Sequence, residues 1–170
     1  MDAATLREIQ RPLKDQYRVD PERAVVTLRA EGSLSESAVA CSVHTGRAMV
    51  EAGLHPATGG DGTLACSGDM LLQALVACAG VTLRSVATNR GIDVTGVVRA
   101  EGDLDVRGTL GIDRAAAVGF VSIRLMFDLD SKASKDELDA LVATTERYCV
   151  VYQTLASSPQ LEVLLTTGHG

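Results

Sequence analysis

The stretch Met70-Leu71-Leu72-Gln73-Ala74-Leu75-Val76-Ala77-Cys78-Ala79-Gly80-Val81-Thr82-Leu83 decides how this chain is read. Only Gln73 and Thr82 interrupt its apolar character, so a helix built from it has no wet face. Such a helix belongs in the middle of something. Ser67 stands where an N-cap is expected and Gly91 where a helix stops, which predicts a helix from Ser67 to about Arg90. One chain of 170 residues covers such a helix poorly. A second copy would cover it, and a homodimer with intertwined sheets is expected.

Strand-like runs flank this helix. Ala24–Ala30 and Ser37–Thr45 read as strands, joined by a turn over 31–35. The Gly and Pro residues of Leu54-His55-Pro56-Ala57-Thr58-Gly59-Gly60-Asp61-Gly62 make a loop. Ile92–Asp105 and Val118–Asp130 are expected strands, the second alternating as Val121, Ile123, Leu125, Phe127 and Leu129. Ser134-Lys135-Asp136-Glu137 is a capping box, and the helix after it carries an apolar stripe of Leu138, Leu141, Val142, Thr145 and Cys149. Leu161–Thr166 is expected to close the chain as a last strand. This order gives an α+β fold of mostly antiparallel strands around a long buried central helix. Residues 1–170 read as one domain, with 1–20 as a polar helical extension.

Composition removes several function classes. The net charge is -6 and aromatics are 3% of the residues. Both argue against nucleic acid, which needs clustered cations and stacking rings. The charged residues of Met1–Glu8 do not form a signal peptide, and the Met70–Leu83 run is too short to span a bilayer. A cytoplasmic location without membrane attachment is expected. Four cysteines in such a reducing compartment are free, catalytic or metal-bound rather than a disulfide framework.

Two of those cysteines lie on expected helices. Cys78 sits in the apolar run and Cys149 on the stripe. The plain reading makes both small core residues. The sharper reading makes them a peroxidatic and resolving pair, which only the fold can bring together. Cys41 and His44 have a C-x-x-H spacing without a second ligand pair, a poor zinc site, and no cofactor is expected. Gly59–Gly62 lacks the Lys of a phosphate loop. Asp128-Leu129-Asp130-Ser131-Lys132 has Lys where an EF-hand needs its third ligand.

The Met70–Leu83 segment resembles the Cys-bearing helix of the OsmC/Ohr superfamily. The stretch Gly59-Gly60-Asp61-Gly62 resembles the Gly-Gly stretch that precedes that helix. Thr145-Glu146-Arg147-Tyr148-Cys149-Val150-Val151 is similar to the second-Cys motif, where Cys-Pro is more usual than Cys149-Val150. The likeness runs from about Ala24 onward, leaving 1–20 outside. It implies a thiol peroxidase acting on organic hydroperoxides, with Cys78 peroxidatic, Cys149 resolving and an external dithiol as reductant.

The resemblance also implies an arginine from the N-terminal hairpin that activates the thiol, steered by a carboxylate near the start of the Cys helix. A free cysteine has a pKa of about 8.5 and burial raises it. Cys78 lies too far along its own helix for that helix's N-terminus to help. A cation is therefore expected. Arg29 is favoured over Arg23 and Arg47, and Asp69 is the candidate carboxylate, since Gly68 stands where a Glu is more usual. Cys66 could be an alternative resolving thiol. A silent domain that binds a small apolar ligand over Cys78 is the rival reading, favoured by the departures at Gly68 and at the hairpin arginine.

Overall fold

The computed structural model describes residues 2–5, 8, 10–12, 19, 31–34, 40–44, 49–111 and 113–167. Among these, 3–5, 8, 10–12 and 19 are helical, within the segment expected to form an N-terminal extension. The expected strand Ala24–Ala30 lies outside the described residues.

Four short strands form the first sheet: β1 (Glu31–Leu34), β2 (Ala40–His44), β3 (Met49–Gly53) and β4 (Ala65–Cys66), in that spatial order. The β1–β2 and β2–β3 pairs are antiparallel and the brief β3–β4 pair is parallel. Residues 31–34, expected as a turn, are therefore strand; Gly32 marked a strand residue rather than a turn. β3 carried too little alternation to be seen in the sequence. Between β3 and β4 runs the expected Gly-rich loop, which holds a 3-10 turn at Pro56–Thr58 capped by the His55 side chain.

α1 (Ser67–Arg90) is the helix anticipated from Met70–Leu83, ended by Gly91 with φ 69°. That left-handed conformation is nearly free for glycine alone. Cys66, not Ser67, holds the N-cap position, and no side chain caps it. At 24 residues α1 is long and apolar enough to cross a membrane, which the Met70–Leu83 run alone is not. It nevertheless packs against β5, α3 and α4, whose ranges follow, as a core helix does.

β5 (Val94–Leu104) and β6 (Phe120–Ser131) form an antiparallel pair running from Val94↔Ser131 to Leu104↔Phe120. The short α2 (Val106–Thr109) lies in their connection. β5 begins two residues later and ends one earlier than expected, and β6 is shifted by a similar amount.

α3 (Lys135–Tyr148) starts with the predicted capping box, Ser134 and Glu137 exchanging hydrogen bonds. Its stripe faces inward as the spacing predicts. Leu141, Thr145 and Cys149 are fully buried, and Leu138 and Val142 are half-buried. The stripe does not stay on one helix, however. Cys149 has extended backbone (φ −74°, ψ 109°), and a separate helix α4 (Val150–Ala156) begins after it.

The core forms where α1 meets these elements. Leu83 and Ala87 pack with Val94 and Leu141 at one end; Leu75 and Ala79 pack with Cys149 at the other. The inward residues of α1 recur every four positions, which is one helical face. The opposite face is uncovered within one chain: Val81 is 72% exposed. The long central helix is thus buried on one side only. The expected last strand is absent among the described residues. Leu161, Val163, Leu164 and Leu165 are each at least 80% exposed and join no sheet.

Candidate active site

The fold brings Cys78 and Cys149 into contact. Cys78 lies at the middle of α1, half-buried, and faces the joint between α3 and α4. Cys149 is fully buried in that joint. Its placement has a local cause. The Cys149 N–H donates to the Thr145 carbonyl at 2.8 Å, which ends α3. The Gln153 N–H donates to the Cys149 carbonyl at 2.9 Å, which begins α4. The Gln153 amide also donates to the Glu146 carbonyl at 2.8 Å and ties the two helices across the kink. Leu75, Val98, Ala100, Ile123 and Leu125 wall the pair with aliphatic side chains.

The two thiols sit in different hydrogen-bonding environments. Burial pushes the Cys78 thiol up, but the nearby Val151 N–H, Cys149 thiol, Val150 N–H and Thr82 side chain outweigh it and lower its pKa. Burial likewise pushes the Cys149 thiol up. The Tyr152 N–H opposes that shift, while the neighbouring Cys78 adds to it, and the pKa rises. The two shifts run in opposite directions, so Cys78 is the more readily ionised of the two, and the thiolate is the reactive form of a cysteine.

The donors to Cys78 differ from those anticipated. The helix that supplies them is α4, not α1, and its first N–H groups lack intrahelical acceptors. Nothing in the 149–156 pattern announced a new helix, so these groups were not legible in the sequence. Thr82 was legible: it is four residues after Cys78 and on the same helix face. Its hydroxyl donates its one hydrogen to the Cys78 carbonyl at 2.8 Å. Because residue 150 is Val and not Pro, the main chain keeps an N–H there.

Arg23, Arg29 and Arg47 lie outside the described residues. The arginines of α1 and α3 are engaged away from the sulfurs. Arg84 donates to the Val94 carbonyl and Arg90 to the Thr144 hydroxyl, each at 2.6 Å. Arg147 stacks over the Tyr148 ring at 5.8 Å. Asp69 is exposed in the first turn of α1 and borders a shallow recess with Leu72, Gln73 and Val76. Nine positions place it about half a turn around the helix from Cys78. Within one chain it does not approach the thiol.

Cys66 is a free thiol at the N-cap of α1. Twelve residues of helix separate it from Cys78, about 18 Å at 1.5 Å per residue. That distance exceeds what a disulfide can span. Cys66 is not at the mouth of the site in its own chain. The side chain of Cys41 lies outside the described residues, and among the described residues no cluster of His, Cys, Asp and Glu could hold a metal.

Leu75, Val151 and Tyr152 pack at the pair, but Met70 and Leu71 do not join that cluster, and Val81 and Tyr148 are exposed. A cavity of about 330 Å³ opens between β6 and α4, and neither cysteine lines it. Leu75, Ile123, Leu125, Tyr152 and Leu155 line it.

Known proteins share this arrangement of elements. The family described as OsmC-like protein matches residues 60–164, more than half of the chain. No curated protein matches it by sequence. Among solved structures, an OsmC-like protein from Mycoplasma pneumoniae superposes with a TM-score of 0.65 at 17% identity, covering 78% of this chain and 89% of that one. An organic hydroperoxide resistance protein OsmC from Legionella pneumophila gives a TM-score of 0.56 at 17% identity, with 77% and 90% covered. The organic hydroperoxide resistance protein OhrB of Bacillus subtilis gives 0.51 at 17% identity, with 78% and 93% covered. At such identities the superpositions establish the fold, and the family match establishes membership: the chain belongs to the OsmC-like family within the OsmC/Ohr superfamily.

Proposed function

We propose that this chain is a cytoplasmic thiol peroxidase that reduces organic hydroperoxides. One observation carries the reading: the fold packs Cys78 against Cys149 in one buried cluster, where their pKa values are moved in opposite directions. Two-cysteine peroxide reduction uses this order, a first thiol that ionises more readily than its neighbour.

The Cys78 thiolate attacks the terminal oxygen of ROOH. The S–O bond forms, the O–O bond breaks, and RO⁻ leaves and takes a proton to become ROH. Cys78 is then a sulfenic acid. Cys149, deprotonated, attacks that sulfur and displaces hydroxide, which is protonated to water, and a disulfide remains. An external dithiol returns both thiols by exchange. Neither nucleic acid nor a membrane has a role in this cycle.

The test is a thiol count before and after one equivalent of tert-butyl hydroperoxide. Loss of two thiols within seconds to minutes is expected. Loss over hours would favour instead a silent domain whose cavity holds a small apolar ligand.

The aliphatic side chains clustered with the pair, Leu75, Val98, Ile123 and Leu125 among them, support a preference for hydrocarbon-bearing substrates. At about 0.8 kcal/mol per buried CH₂, two or three buried groups correspond to roughly tenfold or more in kcat/KM over hydrogen peroxide. Steady-state kinetics with both oxidants measure this, and equal values would contradict it.

We further propose that the working unit is a homodimer. The uncovered face of α1, with Val81 at 72% exposure, supports this, as does the exposed apolar segment around Leu161–Leu165. Apolar area of that extent is unusual on a lone subunit. Sedimentation at micromolar concentration is expected to give twice the 17.8 kDa chain mass. A monomer would exclude this assembly.

A further inference from the structure

α3 and α4 meet at a break that residue type alone does not enforce. Were α3 to run on, its next main-chain bond would join the Val150 N–H to the Glu146 carbonyl. Position 150 is not proline, so nothing there forbids the continuation. The chain turns instead: Cys149 has ψ 109°, where a helical residue has about −42°. The turn leaves the Glu146 carbonyl among the last-turn acceptors of α3 that lack a partner within the helix. The Gln153 side chain takes that place, donating to the Glu146 carbonyl at 2.8 Å. The N–H of the same residue donates to the Cys149 carbonyl at 2.9 Å. Gln153 thus bonds to both sides of the break, from an exposed position where its side chain fills no part of the core.

We propose that α4 is a lid over the cysteine pair, latched by Gln153, whose opening admits the external dithiol to the Cys78–Cys149 disulfide. The inference rests on the peroxidase reading for its purpose, but the exchange it concerns needs no peroxide. Packing against α1 draws the lid down: Val151 and Tyr152 join Leu75, Ala79 and both cysteines in one cluster. At seven residues α4 is too short to be stable by itself, so those contacts and the latch decide its place. Under it Cys149 is fully buried.

The exchange chemistry makes that burial matter. A reductant thiolate that attacks the Cys149 sulfur forms one S–S bond and breaks another, and Cys78 departs as a thiolate and takes up a proton. The second thiol of the reductant then displaces Cys149 in the same way and leaves as the oxidised, disulfide form. The thiol that ionises more readily is the better leaving group, which favours this route over attack on Cys78. The route stays closed until α4 lifts. The Gln153 bond sets how often that happens, because it occupies the carbonyl that a continuous helix would give to Val150.

The test uses the full-length chain, oxidised with diamide and reduced by dithiothreitol over the range where the rate rises linearly with concentration. Peptide mass mapping after an alkylating quench follows the disulfide. Gln153→Met keeps the side-chain length and deletes the donor. It is expected to speed reduction about three- to tenfold, the scale of one net hydrogen bond. Iodoacetamide alkylation of Cys149 in the reduced protein should speed up by the same factor, since a buried thiol reacts through local opening. Gln153→Lys retains a donor and should behave as wild type. Val150→Pro removes the N–H that a continuous helix needs, and Cys149 already has the extended backbone that precedes a proline. In that background Gln153→Met should change neither rate. A general loss of stability would speed both backgrounds alike, and that result would overturn the proposal. So would unchanged rates in Gln153→Met, or a 2-mercaptoethanol adduct trapped on Cys78 instead of Cys149. If the rates shift as expected in a protein that reduces no hydroperoxide, the lid stands and the peroxidase reading falls.

Discussion

Cys78→Ser is expected to abolish hydroperoxide reduction, whereas Cys149→Ser should complete one attack and then stall. The inequality follows from which thiol ionises more readily. Cys78 carries the lowered pKa and supplies the nucleophile; serine in its place stays protonated and cannot attack an O–O bond. Cys149 carries the raised pKa and enters only at the second step. Without it, the Cys78 sulfenic acid has no neighbour to capture it. About one equivalent of peroxide is consumed, and excess peroxide drives the sulfur to the sulfinic state. Cys66→Ser should turn over as wild type, because α1 holds that sulfur about 18 Å away; Cys41→Ser should do the same. Mass spectrometry of each peroxide-treated variant distinguishes a disulfide from added oxygens. A native rate in Cys78→Ser would end the peroxidase reading. A wild-type disulfide from Cys78 to Cys66 would end the resolving assignment.

The same donors set the expected pH response. Because the Cys78 pKa is lowered, the midpoint of its alkylation profile should lie below that of an ordinary thiol. Cys149, raised, should react slowly until well into the alkaline range. Peptide mapping of partly alkylated protein should therefore find the label on Cys78 first.

The largest stability effect is expected from Leu141→Ala. Leu141 is fully buried where α3 meets α1 and β5, packed with Leu83, Ala87 and Val94. Truncation removes apolar area and leaves a cavity that rigid helices fill poorly, at a cost of about 2–5 kcal/mol. A domain of this size has about 5–15 kcal/mol in all, so the loss is a large fraction. The consequence reaches the site. α3 ends on the Thr145 carbonyl that fixes the Cys149 N–H, so a loosened α3 releases the joint that presents Cys149 to Cys78. Urea unfolding should show a lower midpoint with an unchanged slope. Peroxide-treated Leu141→Ala should also form the Cys78–Cys149 disulfide more slowly. A stability loss below about 1 kcal/mol would show that this contact is not part of the core.

Much of this fold was legible because local chemistry and long-range packing agree. α1 is written in an apolar run closed by Gly91, α3 in a capping box and a stripe at helical spacing, and β6 in strict alternation. The α+β class followed from their order, and the two cysteines from their places in the helices. The first sheet was less legible. β3 and β4 span five and two residues, too short for periodicity to rise above turn signals. Leu161–Leu165 has the composition of a strand, yet a strand forms only where an edge accepts it, and among the described residues none does.

The sequence by itself determined the elements, the family likeness and which thiols to suspect, since these depend on residue type and spacing along the chain. Only the tertiary structure decided what Cys78 meets. Its neighbours are main-chain N–H groups of a helix more than seventy positions away, and a main-chain N–H is the same at every residue except proline. No side-chain pattern encodes where such a group will point. The break at Cys149 that turns Val150 and Val151 toward the sulfur is set by packing against α1, and so is the order of the two pKa values.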